Sequence, residues 1–257
     1  MPSYTEDALS KPTGLLLSAE GLEKSGKTWS VLATAPQPVL YVNCDRDNRR
    51  IVNKLRASGR RILMSGQYLF TPDVDQNILR EKNDAILGKN ASQALALWKP
   101  IKRDLVDGFA DPAVKTVFFD SGSAAYQMMR IARFGKLIEI PQVLYSKTNY
   151  EWRAILLQAQ ASGKVVIIAH RLAKEFVKNN DKSSETGKLT IEGYKGTNFE
   201  VDAIVRHERS QAGVYSAKVL AEGVARPDML NVEYEGDAIN YTEIVAKLTR
   251  TKIGAWA

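Results

Sequence analysis

The chain has 257 residues, enough for one large α/β domain or a core with a small appendage, and its 44% hydrophobic share supports a substantial core. One cysteine, Cys44, excludes a disulfide within the chain and fits a reducing cytoplasm, while neither a secretory start nor ~18 consecutive apolar residues suggests a membrane. The net charge of +7 suits a polyanionic partner such as nucleic acid, and suits plain solubility as well.

In chain order, Gly-Leu-Leu-Leu-Ser-Ala at 14–19 is an apolar run ending at a glycine-bearing turn, and it reads as a buried strand. A short helix follows from Thr28 to about residue 33, punctuated by Pro36 and Pro38. Residues 39–43 read as a second strand, 48–57 as a helix and 62–64 as a third short strand. Residues 66–90 are polar, show no period and read as irregular. Ala94, Leu95, Trp98, Ile101 and Leu105 recur at helical spacing, with Pro100 expected to kink or interrupt that helix. A buried strand at 117–119 ends at Asp120, and a helix is predicted over 123–134. Trp152, Ile155, Leu156 and Ala159 mark an amphipathic helix stopped by Gly163, before the most apolar strand, 165–169. Residues 171–199 are polar and read as a long loop or an extended hairpin. Strands near 203–206 and 214–220 and a helix at 241–248 close the chain. Wholly apolar strands alternating with helices predict an α/β fold, mainly a parallel sheet covered on both faces.

Chemistry concentrates at strand ends. Gly21-Leu22-Glu23-Lys24-Ser25-Gly26-Lys27-Thr28, followed by Trp29, satisfies the phosphate-loop pattern G-x-x-x-x-G-K-[ST] between a predicted strand and helix. Its glycines let successive N–H groups turn toward phosphate oxygens, and the helix N-terminus adds partial positive charge. Lys27 supplies a mobile cation, and Thr28 a hydroxyl for Mg²⁺. The ligands implied are ATP and Mg²⁺. Asp120 stands at the carboxyl end of its strand, where an acid can hold Mg²⁺ through water, or else cap the next helix. Asp45 ends the second strand and can orient and deprotonate water, with Asp47 as its rival; both can also merely begin a turn. His170 ends the most apolar strand, where it can sense a terminal phosphate or sit as a satisfied core histidine. The basic stretch 46–61, with Arg49, Arg50 and Lys54, can track a phosphate backbone or form a solvated helix face.

Together these residues resemble the RecA-type ATPases. Gly21, Glu23, Ser25, Gly26, Lys27 and Thr28 match a loop that the bacterial recombinase commonly writes as G-P-E-S-S-G-K-T, with departures at Leu22 and Lys24. Asp120-Ser121 matches the Asp-Ser closing that family's second motif. Asp45 falls where the family places a catalytic glutamate, and His170 where it places a glutamine coupling the γ-phosphate to DNA. The Ala-His at 169–170 and the tail of strands are most similar to compact phage-encoded RecA-core proteins, over most of 13–220.

The resemblance implies a RecA-like P-loop NTPase core at about 13–220 with a C-terminal β extension at 221–257, forming one domain. It implies an ATPase that binds single-stranded DNA and promotes annealing or recombination in the cytoplasm of a bacterial host, working as a homo-oligomeric ring or filament. The segments after Asp120 and His170 would face DNA, offering Arg171 and Lys174, and Lys218 would reach a neighbour's site. A packaging or helicase-type motor and a nucleotide-gated interaction module share the same core motifs.

Overall fold

The computed structural model describes residues 14–69, 84–136, 140, 142–179, 182–223 and 226–256. The reading of the N-terminal residues 1–13, and of 70–83 as irregular, lies outside them.

Strand β1 (Leu15–Gly21) is buried along its whole length and leads through the glycine-bearing loop into α1 (Lys27–Thr34). Then come β2 (Val39–Asn43), α2 (Arg49–Ala57), β3 (Ile62–Gln67), α3 (Asp84–Ala110) and β4 (Thr116–Asp120). Helix α4 (Gly122–Phe134) starts on Ser121, whose Oγ accepts the Ala124 N–H at 3.2 Å, and stops at left-handed Gly135. The chain continues through α5 (Tyr145–Ala161), β5 (Val165–Asn179), β6 (Lys182–Ile191), α6 (Thr197–Glu200), β7 (Ala203–Arg209), β8 (Tyr215–Glu222) and β9 (Glu233–Glu235). It ends in α7 (Tyr241–Thr249), capped by the Asn240 side chain.

The strands lie in the order β3-β2-β4-β5-β1-β7-β8-β9. From β3 to β7 every pairing is parallel, and β8 and β9 join antiparallel. Strand β5 therefore separates β1 from β4, and all these strands present their carboxyl ends at one edge of the sheet. No helix among the described residues is long and apolar enough to cross a membrane.

Alternation along each strand divides the core in two. Leu15, Leu17, Ala19, Tyr41, Phe118, Ile167 and Ala169 face one side, under α1, α2 and α7. Leu16, Val42, Val117, Phe119, Val166 and Ile168 face the other, under α3, α4 and α5. Burying each Leu, Val, Ile or Phe among them contributes about 1.5–3 kcal/mol, so the face that a strand residue occupies is strongly specified.

Several expectations change. Residues 84–90 are helical, forming the first turns of α3. That helix runs unbroken through Pro100. Only the Ala96 carbonyl loses its helical N–H partner, and buried Ala94, Trp98, Ile101 and Leu105 anchor both halves to the sheet. Within 171–199 the extended-hairpin alternative holds: β5 overruns the sheet and pairs antiparallel with β6 from Leu172 to Asn179. The 221–257 segment packs into the first core face through Ile239, Tyr241, Ile244, Val245 and Leu248.

Candidate functional site

The loop after β1 closes tightly on itself. A Cβ at Gly21 would lie 2.5 Å from both the His207 carbonyl and Ser25 Oγ, so only glycine fits. Gly26 holds φ +91, the left-handed region that glycine enters without penalty, at the entry to α1. Lys27 folds back over the loop. Its ammonium donates to the Gly21 and Leu22 carbonyls at 2.8 Å each and to Ser25 Oγ at 3.2 Å. Burial lowers its pKa to about 8, against the opposing pull of Asp120 and Asp45.

Asp120 is buried on the first face, the same side as α1. Its Oδ2 accepts from Thr28 Oγ1 at 2.7 Å and from the Tyr41 hydroxyl at 3.0 Å. Asn48 Nδ2 donates to that hydroxyl in turn at 2.7 Å, and the Tyr41 ring stacks on Phe118 at 5.4 Å. Burial raises the Asp120 pKa, and the Thr28 hydrogen bond opposes the rise. The hydroxyl and carboxylate expected to share a cation are thus already in contact, across the 92 residues that separate them in the chain.

Glu23 to Trp29, Asp45, Asp120 and Ser121 line one cleft of about 170 Å³ at the carboxyl edge of the sheet. Gly21 and Leu22 stand behind it, contributing the carbonyls that hold Lys27. Asp45, half-buried, faces this cleft, whereas exposed Asp47 is bound to Arg49 at 2.6 Å. Geometry therefore separates two acids that spacing left as rivals.

His170 takes a different position. It follows Val166 and Ile168 in alternation and so points to the second face, beneath α4. A Cβ at Gly122 would lie 2.8 Å from its Nε2. Its Nδ1 meets Ser18 Oγ at 2.9 Å, and burial, with Lys27 nearby, lowers its pKa to about 3. The neutral ring forms no part of the cleft wall. His170 does not end its strand, since β5 runs on to Asn179; from the next position, where β5 leaves the parallel sheet, Arg171 reaches the cleft instead, in register with Gly21 and 3.4 Å from Glu192.

The same parity sorts β8. Lys218 lies on the side away from Ala217 and Val219 of the first core, half-buried and paired in register with Glu233, and does not line its own chain's cleft. Tyr215, on the first face, lies against Gly26: a Cβ there would meet its ring at 2.9 Å. Tyr215, Arg46 and Asn48 are cleft residues that sequence reading missed. Only the basic stretch around Arg46 carried a signal.

Of the polyanion-facing candidates, Arg49 holds Asp47, Lys174 holds Glu185 at 3.0 Å, and the Lys54 ammonium lies 5.2 Å from the centre of the Trp29 ring. Arg50 is exposed on α2. Exposed ion pairs of this kind are weak and screened by solvent, so they yield readily to phosphate.

The donor set fits a nucleotide-borne Mg²⁺. Among the described residues no group of three or more His, Cys, Asp or Glu forms a cage for a metal. One hydroxyl beside one carboxylate is what a cation needs when phosphates and water supply its other ligands. No family model matches the chain, and no curated protein matches it in sequence.

Proposed function

We propose that this chain binds a nucleoside triphosphate with Mg²⁺ at the Gly21–Thr28 loop and hydrolyses it as a RecA-like ATPase acting on single-stranded DNA. The observation that carries the nucleotide half is the contact of Thr28 with Asp120 at 2.7 Å, beside a loop closed by Lys27. In this reading Lys27 leaves the Gly21 and Leu22 carbonyls for phosphate oxygens, which compensate its buried charge better than neutral carbonyls do. Thr28 and Asp120 would hold Mg²⁺, which neutralises charge developing on the phosphates. Asp45, which lines the cleft, would orient water, and Arg171, 3.4 Å from Glu192, would exchange it for a terminal phosphate. The DNA half draws on the RecA resemblance and the positive charge, with a homo-oligomer, Lys218 reaching across it, as its expected assembly.

The second-face placement of His170 favours one alternative, a nucleotide-gated interaction module with little turnover. A phosphate-release assay with ATP and Mg²⁺, with and without single-stranded DNA, separates the two. Release abolished by Lys27→Ala and by Asp45→Asn supports the ATPase. Tight nucleotide binding without release supports the module, and no nucleotide binding refutes both.

A further inference from the structure

A second concavity, of about 440 Å³, opens on the first face between α1, α2 and the turn after β9. It adjoins the phosphate cleft, since Gly26, Trp29 and Tyr215 line both. Beyond these three its wall includes Lys54, Asp237 and Ile239. The wall is anchored. Ile239 is buried in the first core, and just past it the Tyr241 N–H donates to Thr34 Oγ1 at 2.9 Å, tying α7 to α1. Of the four tryptophans, Trp98, Trp152 and Trp256 are buried, whereas Trp29 is 43% exposed. Asp237 is exposed, is the one carboxylate among the described residues of this wall, and forms no ion pair among them.

The two spaces give a bound nucleotide a direction. Asp45, Asp120 and Arg171 line the cleft alone and mark its terminal-phosphate end. The shared residues mark the other end. The cleft, at about 170 Å³, falls below the roughly 300–1,000 Å³ of sites that hold a whole small molecule. Phosphates that fill it therefore leave the nucleoside to pass Gly26, Trp29 and Tyr215 into the larger space. Ribose comes first, beside the shared residues, and the base reaches the wall that belongs to the second concavity alone. An indole offers its face to any base, so stacking supplies affinity without choice. Choice needs hydrogen bonds, and a carboxylate only accepts them. Beside Asp237 an exocyclic amino group finds an acceptor, whereas a carbonyl oxygen meets like charge.

We propose that Asp237 reads the base: a purine stacks on Trp29 and donates its exocyclic amino group to the Asp237 carboxylate, so that the chain prefers aminopurine triphosphates, ATP or GTP, to ITP. The proposal rests on the nucleotide half of the function above and is independent of the nucleic-acid half. It also gives the 221–257 segment a part in the site, because that segment carries both Asp237 and Ile239.

The test is calorimetric titration of the full chain with Mg²⁺ and ATP, GTP, ITP or inorganic triphosphate. ITP carries a purine without an amino group, so it isolates the contact. The wild-type chain is expected to bind ITP at least about tenfold more weakly than the better of ATP and GTP, and Asp237→Asn, whose amide also donates, to narrow that gap below about threefold. Trp29→Ala is expected to weaken ATP roughly 5- to 150-fold more than it weakens inorganic triphosphate, the range for losing one stacked base. ITP bound as tightly as both aminopurine nucleotides, or a gap that survives in Asp237→Asn, overturns the base reading. So does an Asp237→Asn change that erases instead the difference between ATP and 2′,3′-dideoxy-ATP, which assigns the carboxylate to the ribose. Inorganic triphosphate bound as tightly as ATP overturns the pocket and leaves the phosphate cleft standing. A chain that binds none of the four overturns the pocket and the nucleotide reading together.

Discussion

Lys27 offers a quantitative test, because its charge in the free protein is held by three neutral oxygens in a buried setting. With a pKa near 8, it is about 90% protonated near pH 7 and about 10% near pH 9. If the phosphates keep the bound lysine charged throughout, the apparent Kd scales as one plus ten raised to the power of pH minus pKa. Between about pH 7.5 and about pH 9.5 that gives a loss of affinity of about 25-fold, whereas an ordinary lysine at ~10.4 gives about 1.1-fold. The range clears the ~6 second ionisation of a phosphate monoester, so the nucleotide's own charge is constant. Calorimetric titration with a nonhydrolysable ATP analogue and Mg²⁺, at constant ionic strength, measures the profile. Lys27→Arg should bind more weakly and without this slope, because guanidinium does not titrate there. A flat wild-type profile, or the same slope in Lys27→Arg, would refute the reasoning.

Three further outcomes are expected. Thr28→Val keeps the shape but removes a donor to Asp120; it should abolish at least about tenfold of the Mg²⁺-dependent gain in nucleotide affinity, with binding in EDTA changed less than about threefold. His170 is pulled down to about 3, chiefly by burial. An unfolded chain takes up this proton near ~6.5, so the stability it confers is complete above that pH and drains at up to ~1.4 kcal/mol per pH unit as pH falls toward ~3. His170→Gln should therefore flatten the acid limb of stability in a urea series. Gly26→Ala must accept φ +91 and a Cβ 2.9 Å from Tyr215; it should cost roughly 1–2 kcal/mol for the left-handed backbone alone, and adding Tyr215→Ala should recover only the part due to the ring, as read by chemical denaturation.

Much of the site is local, and for that reason legible. The G-x-x-x-x-G-K-[ST] pattern at Gly21–Thr28 needs two glycines, a lysine and a hydroxyl within eight consecutive positions, and the apolar run before it marks the strand. Asp120 is announced by Val-Phe-Phe ahead of it. The face of a residue is also written in the alternation of its strand. Parity along β5 sets His170 with Val166 and Ile168, and Arg171 with Ile167 and Ala169. What alternation leaves open is which helices cover which face, and that depends on crossovers between distant segments. His170 was thus recognisable as a strand residue but not as one lying under α4 with the strand running on beyond it, and Arg171 not as a wall of the cleft.

Sequence by itself determined the α/β class, the order of strands and helices apart from the start of α3, α6 and β9, and the composition of the Gly21–Thr28 loop, because these rest on interactions a few residues apart. Only the tertiary structure decided the partners. It set Thr28 on Asp120, Tyr215 on Gly26, Arg171 on Glu192, and Trp29 and Asp237 around one concavity. These contacts follow from the strand order β3-β2-β4-β5-β1-β7-β8-β9 and from helix packing on each face. Both are set by the burial of the whole apolar surface at once, which no single stretch of the chain contains.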